Sequence, residues 1–151
     1  MLKVIVVEDS DALRRLLCSI VASIPGLSVV GEFIGASSAI AAIRRATPDI
    51  VLLDIQLGEG NGAEVMRVIA HESLLTKVIV VSNFADAIYR RHFADAGAFA
   101  FFDKSFELDA VRFTLEFLAD AAHLQSRPAE LPATSGGGES FPFREARVET
   151  S

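Results

Sequence analysis

The sequence predicts a doubly wound α/β domain, built from five strand–helix units around one parallel sheet. Three observations carry this expectation. Five short apolar runs recur between residues 4 and 102. Each is followed by a segment whose apolar residues repeat every three to four positions, the period of an amphipathic helix. The runs are mostly apolar throughout rather than alternating, as strands covered on both faces of a parallel sheet must be. Strands alternating with helices through right-handed crossovers then give the doubly wound arrangement.

The first strand is expected at 4–7 (VIVV). The helix after it, 11–24, carries Leu13, Leu16, Leu17, Ile20 and Ile24 on one face, and Pro25 with Gly26 stops it. Cys18 lies in this helix. As the single cysteine it excludes an intrachain disulfide, and it is expected to act as a small buried apolar residue. The second strand, 27–34, is the least regular because Gly31 and Glu32 interrupt it. Helix 37–46 presents Ile40 and Ile43 and ends at Thr47 and Pro48. The third strand is 50–53, followed by helix 63–72 with Val65, Val68 and Ile69. The fourth strand is 78–81. Helix 85–96 carries Ile88, Tyr89, His92 and Phe93, with Gly97 expected just past its end. The phenylalanine-rich fifth strand, 98–102, leads to the longest helix, 106–124.

That last helix has two apolar stripes. Leu108, Val111, Leu115, Leu118 and Ala122 form the expected core face. Phe113 and Phe117 lie about 200–240° round from Val111 at about 100° per residue. A helix apolar on two sides is buried twice or meets a partner. Three readings stand: one phenylalanine packs on the fourth helix, the face made by helix 4, strand 5 and helix 5 binds a partner or a second copy, or Phe141-Pro142-Phe143 folds back onto it.

The chain of 151 residues is 51% hydrophobic, enough for one core, and residues 1–125 are expected to form one domain. Residues 126–151, rich in Pro, Gly, Ser and Glu, are expected to be a disordered tail, too short for a second folded unit. No DNA-binding or other output domain is therefore expected. The net charge of −6 disfavours a nucleic-acid surface. The arginine pairs at 14–15, 44–45 and 90–91 are read as solvated helix faces. No signal-peptide core and no long apolar window are found, so a soluble, cytoplasmic chain away from membranes is expected.

Ligands of doubly wound sheets bind beyond the carboxyl ends of the strands, where strand order reverses. Strand 1 runs into Glu8 and Asp9, strand 3 into Asp54, strand 4 into Ser82 and Asn83, and strand 5 into Asp103 and Lys104. With the common order 2-1-3-4-5, strands 1 and 3 are neighbours, and three carboxylates, a hydroxyl and an ammonium converge. Clustered carboxylates raise one another's pKa unless a counter-charge is present. Lys104 and a divalent cation supply it. Mg²⁺ suits an all-oxygen site that keeps several waters. His71, His92 and His123 are scattered and are not expected to be ligands. A carboxylate in such a pocket can attack phosphorus to form an acyl phosphate. The cation and Lys104 would neutralise the transferring group, and Ser82 can hydrogen-bond to it.

These residues resemble a response-regulator receiver domain of the CheY-like, flavodoxin-like fold, over residues 2 to about 124. VVEDS matches the family's acidic pair at Glu8 and Asp9, LLDIQL its phosphoacceptor at Asp54, VVSNF its switch hydroxyl at Ser82, and FFDKS its lysine at Lys104. Phe101 falls at the aromatic switch position. The strand order 2-1-3-4-5 is the one known for the chemotaxis receiver, so the resemblance supplies it. The resemblance implies Mg²⁺ held by Asp9, Asp54 and the main-chain carbonyl of Gln56, with Glu8 acting through water. It implies phosphorylation of Asp54 by a histidine kinase or a histidine phosphotransfer protein, and a partner surface on helix 4, strand 5 and helix 5, with a possible homodimer there. The output protein is not specified. The implied role is signalling, with no reaction beyond the chain's own phosphorylation and dephosphorylation.

Several positions depart from the family. Gly58 stands where Pro is usual and loosens the loop. Ser105 stands where a proline, often cis, follows the lysine; a cis bond before a non-proline residue costs about 3 kcal/mol. Phe101 lacks a hydroxyl. Gln56 and Phe84 occupy the positions that tune acyl-phosphate lifetime, and Phe84 is expected to shield the phosphate from water. Gly62 is expected to allow close entry into the third helix. A haloacid-dehalogenase-type phosphatase is disfavoured because Gln56 replaces its second aspartate. A flavodoxin is disfavoured because EDSDA puts acids where a phosphate loop would lie. A degenerate receiver used purely for protein binding is the remaining alternative, opposed by the full set of five site positions.

Overall fold

The computed structural model describes residues 1–72 and 74–126. The tail expected at 126–151 lies outside them apart from Ser126, as does Phe141-Pro142-Phe143. The elements are β1 (Leu2–Val7), α1 (Asp11–Ala22), β2 (Leu27–Phe33), α2 (Ala36–Ala46), β3 (Ile50–Leu53), α3 (Gly62–His71), β4 (Lys77–Ser82), α4 (Ala87–Asp95), β5 (Ala100–Asp103) and α5 (Leu108–Gln125). The strands form one parallel sheet in the order β2-β1-β3-β4-β5.

The apolar runs become the centre of the sheet because both of its faces are covered. Val4, Val6, Ile50, Leu52, Ile79 and Val81 point to one side and pack against α1 and α5 through Leu17, Ile20, Val21, Val111 and Leu115. Ile5, Val7, Val51, Leu53, Val78 and Val80 point to the other and meet Ala39, Ile43, Val65, Ile69 and Phe93 of α2, α3 and α4. Burying one such aliphatic side chain stabilises by about 1.5–3 kcal/mol, and the two-residue alternation divides the strands between the two cores.

The irregular second strand carries a bulge. Val4 pairs with Val29 but Ile5 with Gly31, so Val30 is the extra residue. Helix starts follow local chemistry: Ser10, Asn61 and Asp86 accept bonds from the first-turn N–H groups of α1, α3 and α4. Gly35 gives α2 no side-chain cap. There Glu59, from the loop after β3, serves instead, its carbonyl accepting from Ala36 N at 2.9 Å and its carboxylate from Ser37 Oγ at 3.3 Å. Gly97 lies just past α4 with φ 106°, where a side chain is strained.

Three expectations are corrected, and one of the three open readings for Phe113 and Phe117 is closed. Cys18 is only partly buried, at the margin of the core. On α5 the core stripe runs through Val111, Leu115, Leu118 and Ala119, with Ala122 only partly covered. Phe113 and Phe117 are 71% and 58% exposed, so neither is tucked against α4. Arg14 and Arg90 are not simply solvated. Arg14 is 15% exposed and bonds the Glu8 carbonyl, Asp11 and Glu32, while Arg90 bonds the carbonyls of Ala85 and Phe101 and the Glu107 carboxylate.

Candidate functional site

The switch point of the sheet, between β1 and β3, gathers the chemistry. The β1–β2 ladder continues with Glu8 N–H donating to Phe33 O at 2.9 Å, and the β1–β3 ladder with Asp54 N–H donating to Val7 O at 3.0 Å. Each acid is therefore placed one residue beyond its strand, at the carboxyl edge. Lys104 follows β5 in the same way, its N–H donating to Ser82 O at 3.1 Å.

Lys104 Nζ lies 3.1 Å from Glu8 Oε1 and 3.1 Å from Asp54 Oδ2. Glu8 is 1% and Asp54 5% exposed, while Asp9 is exposed. Carboxylate oxygens of Glu8, Asp9 and Asp54 all lie within 4.8 Å of one another. Burial, and to a smaller degree the Asp54 charge, hold the Glu8 carboxyl above its ordinary 4.5, against the Ser10 N–H and Lys104. Burial alone would lower the Lys104 ammonium; the attraction and hydrogen bonds of Asp54 and Glu8 outweigh it and raise the net value above 10.5.

Glu8 spends both oxygens on protein donors, Oε2 on Ser10 N at 3.0 Å and Oε1 on Lys104. Among the described residues no hydrogen bond reaches Asp54 Oδ1 or the Asp9 carboxylate. The donor set is all oxygen, doubly buried and short of positive charge, which fits a hard divalent cation.

The predicted residues mostly meet. Glu8, Asp9, Asp54, Gln56, Phe84 and Lys104 line one open cleft of about 360 Å³ with Ser10, Leu57 and Asn83. Ser82 is fully buried and does not line the cleft, although the next two residues do; its Oγ accepts from Phe84 N at 3.1 Å. Phe84 is 41% exposed and leans on Tyr89, ring centroids 5.8 Å apart. Phe101 does not line the cleft; it packs between Phe93, at 5.9 Å, and the Arg90 guanidinium, at 5.4 Å.

The loop after Asp54 is tied down without a proline. Gln56 and Asn61 form a bridge, and Gly62 N–H donates to Ile55 O at 2.7 Å. A Cβ on Gly62 would strike the Asp54 carbonyl oxygen and come within 2.9 Å of Ile55 Cα, so α3 can start this close to the acid only with glycine there. The peptide bonds are all trans among the described residues, including Lys104–Ser105.

Sequence reasoning missed Arg14, Glu59, Arg90 and Glu107. Only the Asp11–Arg14 spacing, three residues on one helix, gave a local signal. Glu59 and Glu107 act on other elements, which no local pattern reveals.

A parallel sheet of this order, with an acid triad and a lysine at the switch point, defines an acidic, cation-accepting site on a doubly wound domain. The chain belongs to the response regulator receiver domain family, whose model matches residues 4–116. It is 34% identical over 138 residues to a protein-glutamate methylesterase/protein-glutamine glutaminase 4 of Myxococcus xanthus, covering 84% of this chain and 39% of that protein. It is 30% identical over 109 residues to the response regulator GacA of Pseudomonas aeruginosa, covering 72% of this chain and 51% of that one. The crystal structure of the response regulator domain of Thermotoga maritima CheB superposes with a TM-score of 0.69 at 28% identity, covering 85% of this chain and 99% of that one. The chain thus spans half or less of the length of the curated relatives of the methylesterase type and about half of GacA. No helix among the described residues is long and apolar enough to cross a membrane.

Proposed function

We propose that Asp54 is the phosphoacceptor of a two-component or phosphorelay signalling system, phosphorylated in the cytoplasm by a histidine kinase or a histidine phosphotransfer protein. The observation that carries this reading is Lys104 Nζ held 3.1 Å from both Asp54 and Glu8, with Asp9 beside them. Asp54 Oδ1 attacks phosphorus, a P–O bond forms, and the P–N bond to the donor imidazole breaks. No proton need leave Asp54, because the nucleophile is a carboxylate. Lys104, already seated against Asp54, balances the charge that develops on the phosphoryl oxygens. Ser82 Oγ, in the buried residue just before the cleft-lining Asn83, donates a hydrogen bond to the bound group.

Asp9, Asp54 and the Gln56 carbonyl would hold Mg²⁺, with Glu8 acting through water because its own oxygens are already engaged. When bound, the ion neutralises phosphate charge and orients the donor. Gln56 and Phe84 tune the lifetime of the acyl phosphate. Phe101 reports the phosphorylated state to α4, β5 and α5, the face where Phe113 and Phe117 stand exposed and where an output protein or a second copy binds. We assign no reaction on another molecule. The methylesterase name belongs to relatives more than twice as long as the matched region.

The test is acetyl-phosphate labelling with Mg²⁺ of the wild type and Asp54→Asn. Labelling lost only in the variant supports the reading. A wild type that takes no label refutes it and leaves the receiver as a pure binding module.

A further inference from the structure

We propose that Glu107, clasped by Arg90, is a positioning residue for Lys104: the ion pair closes the open edge of β5 and so fixes the backbone from which the ammonium reaches Asp54. The inference rests on the phosphoacceptor reading of Asp54. β5 is the last strand of the sheet, with β4 on one side only. Such an edge leaves a row of backbone donors and acceptors without a ladder partner. Lys104 N–H faces β4, donating to Ser82 O. By the two-residue alternation of a strand, Phe101 and Asp103 then present their backbone groups to the open side.

One group of each, the Phe101 carbonyl and the Asp103 N–H, is taken by the same ion pair. Arg90 Nη1 donates to Phe101 O at 2.9 Å, and Asp103 N–H donates to Glu107 Oε1 at 2.8 Å. Arg90 Nη2 closes the circuit on that Glu107 oxygen at 2.7 Å. The rigid guanidinium fork makes a third bond, Nε to Ala85 O at 2.8 Å, and lies over the Phe101 ring. Glu107 N–H returns to Asp103 O at 2.8 Å, so the two residues grip each other at either end of the loop that carries Lys104. Two further bonds complete the loop: Ser105 N–H to Asp103 Oδ1 at 2.7 Å and Ser105 Oγ to Asn83 Oδ1 at 3.1 Å. The arrangement does by side chains what a proline after the lysine would do by stiffness. The Arg90 bond, and then the Asp103 N–H, hold the Glu107 carboxyl below its ordinary 4.5.

The pair is partly exposed, at 38% on each side. An ion pair of that kind adds little to stability, so its effect is expected in rate. The experiment is the initial rate of acetyl-phosphate labelling of the full chain at saturating Mg²⁺, with Mg²⁺ affinity measured separately by calorimetry. Glu107→Ala is expected to slow labelling about tenfold, the worth of one charge-assisted contact to the transferring group, with Mg²⁺ affinity unchanged. Glu107→Gln retains an oxygen for the Asp103 N–H and is expected to recover to within about threefold of wild type. Arg90→Ala is expected to slow labelling in the same direction without affecting Mg²⁺. A wild-type rate in Glu107→Ala, or a Glu107→Gln variant as slow as Glu107→Ala, overturns the inference. Weakened Mg²⁺ binding in step with the rate also overturns it, because general loosening of the site then suffices. An unlabelled wild type instead overturns the phosphoacceptor reading itself.

Discussion

Replacing Lys104 by Met removes an ammonium and keeps most of its stem. The ammonium is the only cation in contact with the Glu8 and Asp54 carboxylates among the described residues, at 3.1 Å from each. Deleting one partner of a buried ion pair costs about 3–5 kcal/mol, since the charge left behind is uncompensated. Here two nearly buried carboxylates lose their partner, but the cleft admits water and Glu8 can take up a proton. The lower end of that range, about 3 kcal/mol, is expected at neutral pH without metal. For a domain of this size that is a drop in Tm of about 10–15 °C. The pH dependence has a definite sign. Glu8 already titrates above 4.5 in the fold, chiefly through burial, and Lys104 is one of the groups holding it down. Without Lys104 it rises further. A raised folded value means that the native state binds the proton more tightly than the unfolded chain does. The matching stability is fully present below 4.5 and is lost as pH climbs through the folded value. The deficit of Lys104→Met should therefore be small near pH 4.5 and fully developed by neutral pH. Saturating Mg²⁺ should shrink it, because the ion brings its own positive charge to the same carboxylates. Circular-dichroism melts of both proteins at the two pH values, in EDTA and in Mg²⁺, measure all three effects. Equal melting in EDTA at neutral pH, or a deficit that ignores pH, would refute the reasoning.

Three other outcomes follow from named contacts. Gly62→Ala should destabilise by about 1–3 kcal/mol although alanine is the better helix former, because its Cβ would strike the backbone at 54–55; a melt at or above the wild-type temperature contradicts this. Phe84→Ala should lose its phosphoryl group about fivefold faster, since a large ring at the mouth of the cleft excludes water; identical decay curves would show that Phe84 does not shield the phosphate. Phe113→Asp should leave stability within about 0.5 kcal/mol, because the ring is already exposed. Sedimentation of beryllofluoride-treated protein should show association in the wild type that this variant lacks, and a monomeric wild type removes the homodimer from the proposal.

The fold was legible because the strands are fully covered. Val51, Leu52, Val80 and Val81, each no more than 1% exposed, must be apolar on both faces, and that shows in the sequence as an unbroken run. The partner helices announce themselves by period, while their starts, capped by Ser10, Asn61 and Asp86, came only from the structure, which begins α4 at Ala87 rather than 85. Boundaries moved where tertiary contacts act. The fifth strand begins at Ala100 rather than 98 and extends through Asp103, whose N–H is held by Glu107. The fate of Phe113 and Phe117 was not legible, since a second apolar stripe can face solvent, a neighbour or a partner with the same spacing.

The sequence by itself determined the five strand–helix units and which residues stand at the strand ends, because periodicity and strand-end position are local properties. It also placed Asp54, Glu8, Asp9, Ser82 and Lys104 in one motif set. Only the tertiary structure decided that Lys104 bridges Glu8 and Asp54, that Glu8 spends both its oxygens on protein donors, and that Phe101 sits under Arg90 away from the cleft. It likewise decided how two loops without prolines are held: Glu59 on the start of α2, and Glu107 with Arg90 on the edge of β5. The contacts of Lys104 with the acids, of Glu59 with α2 and of Arg90 with Glu107 join residues 17 to 96 positions apart. Their energy depends on distance and burial, which are set only once the sheet has brought the segments together.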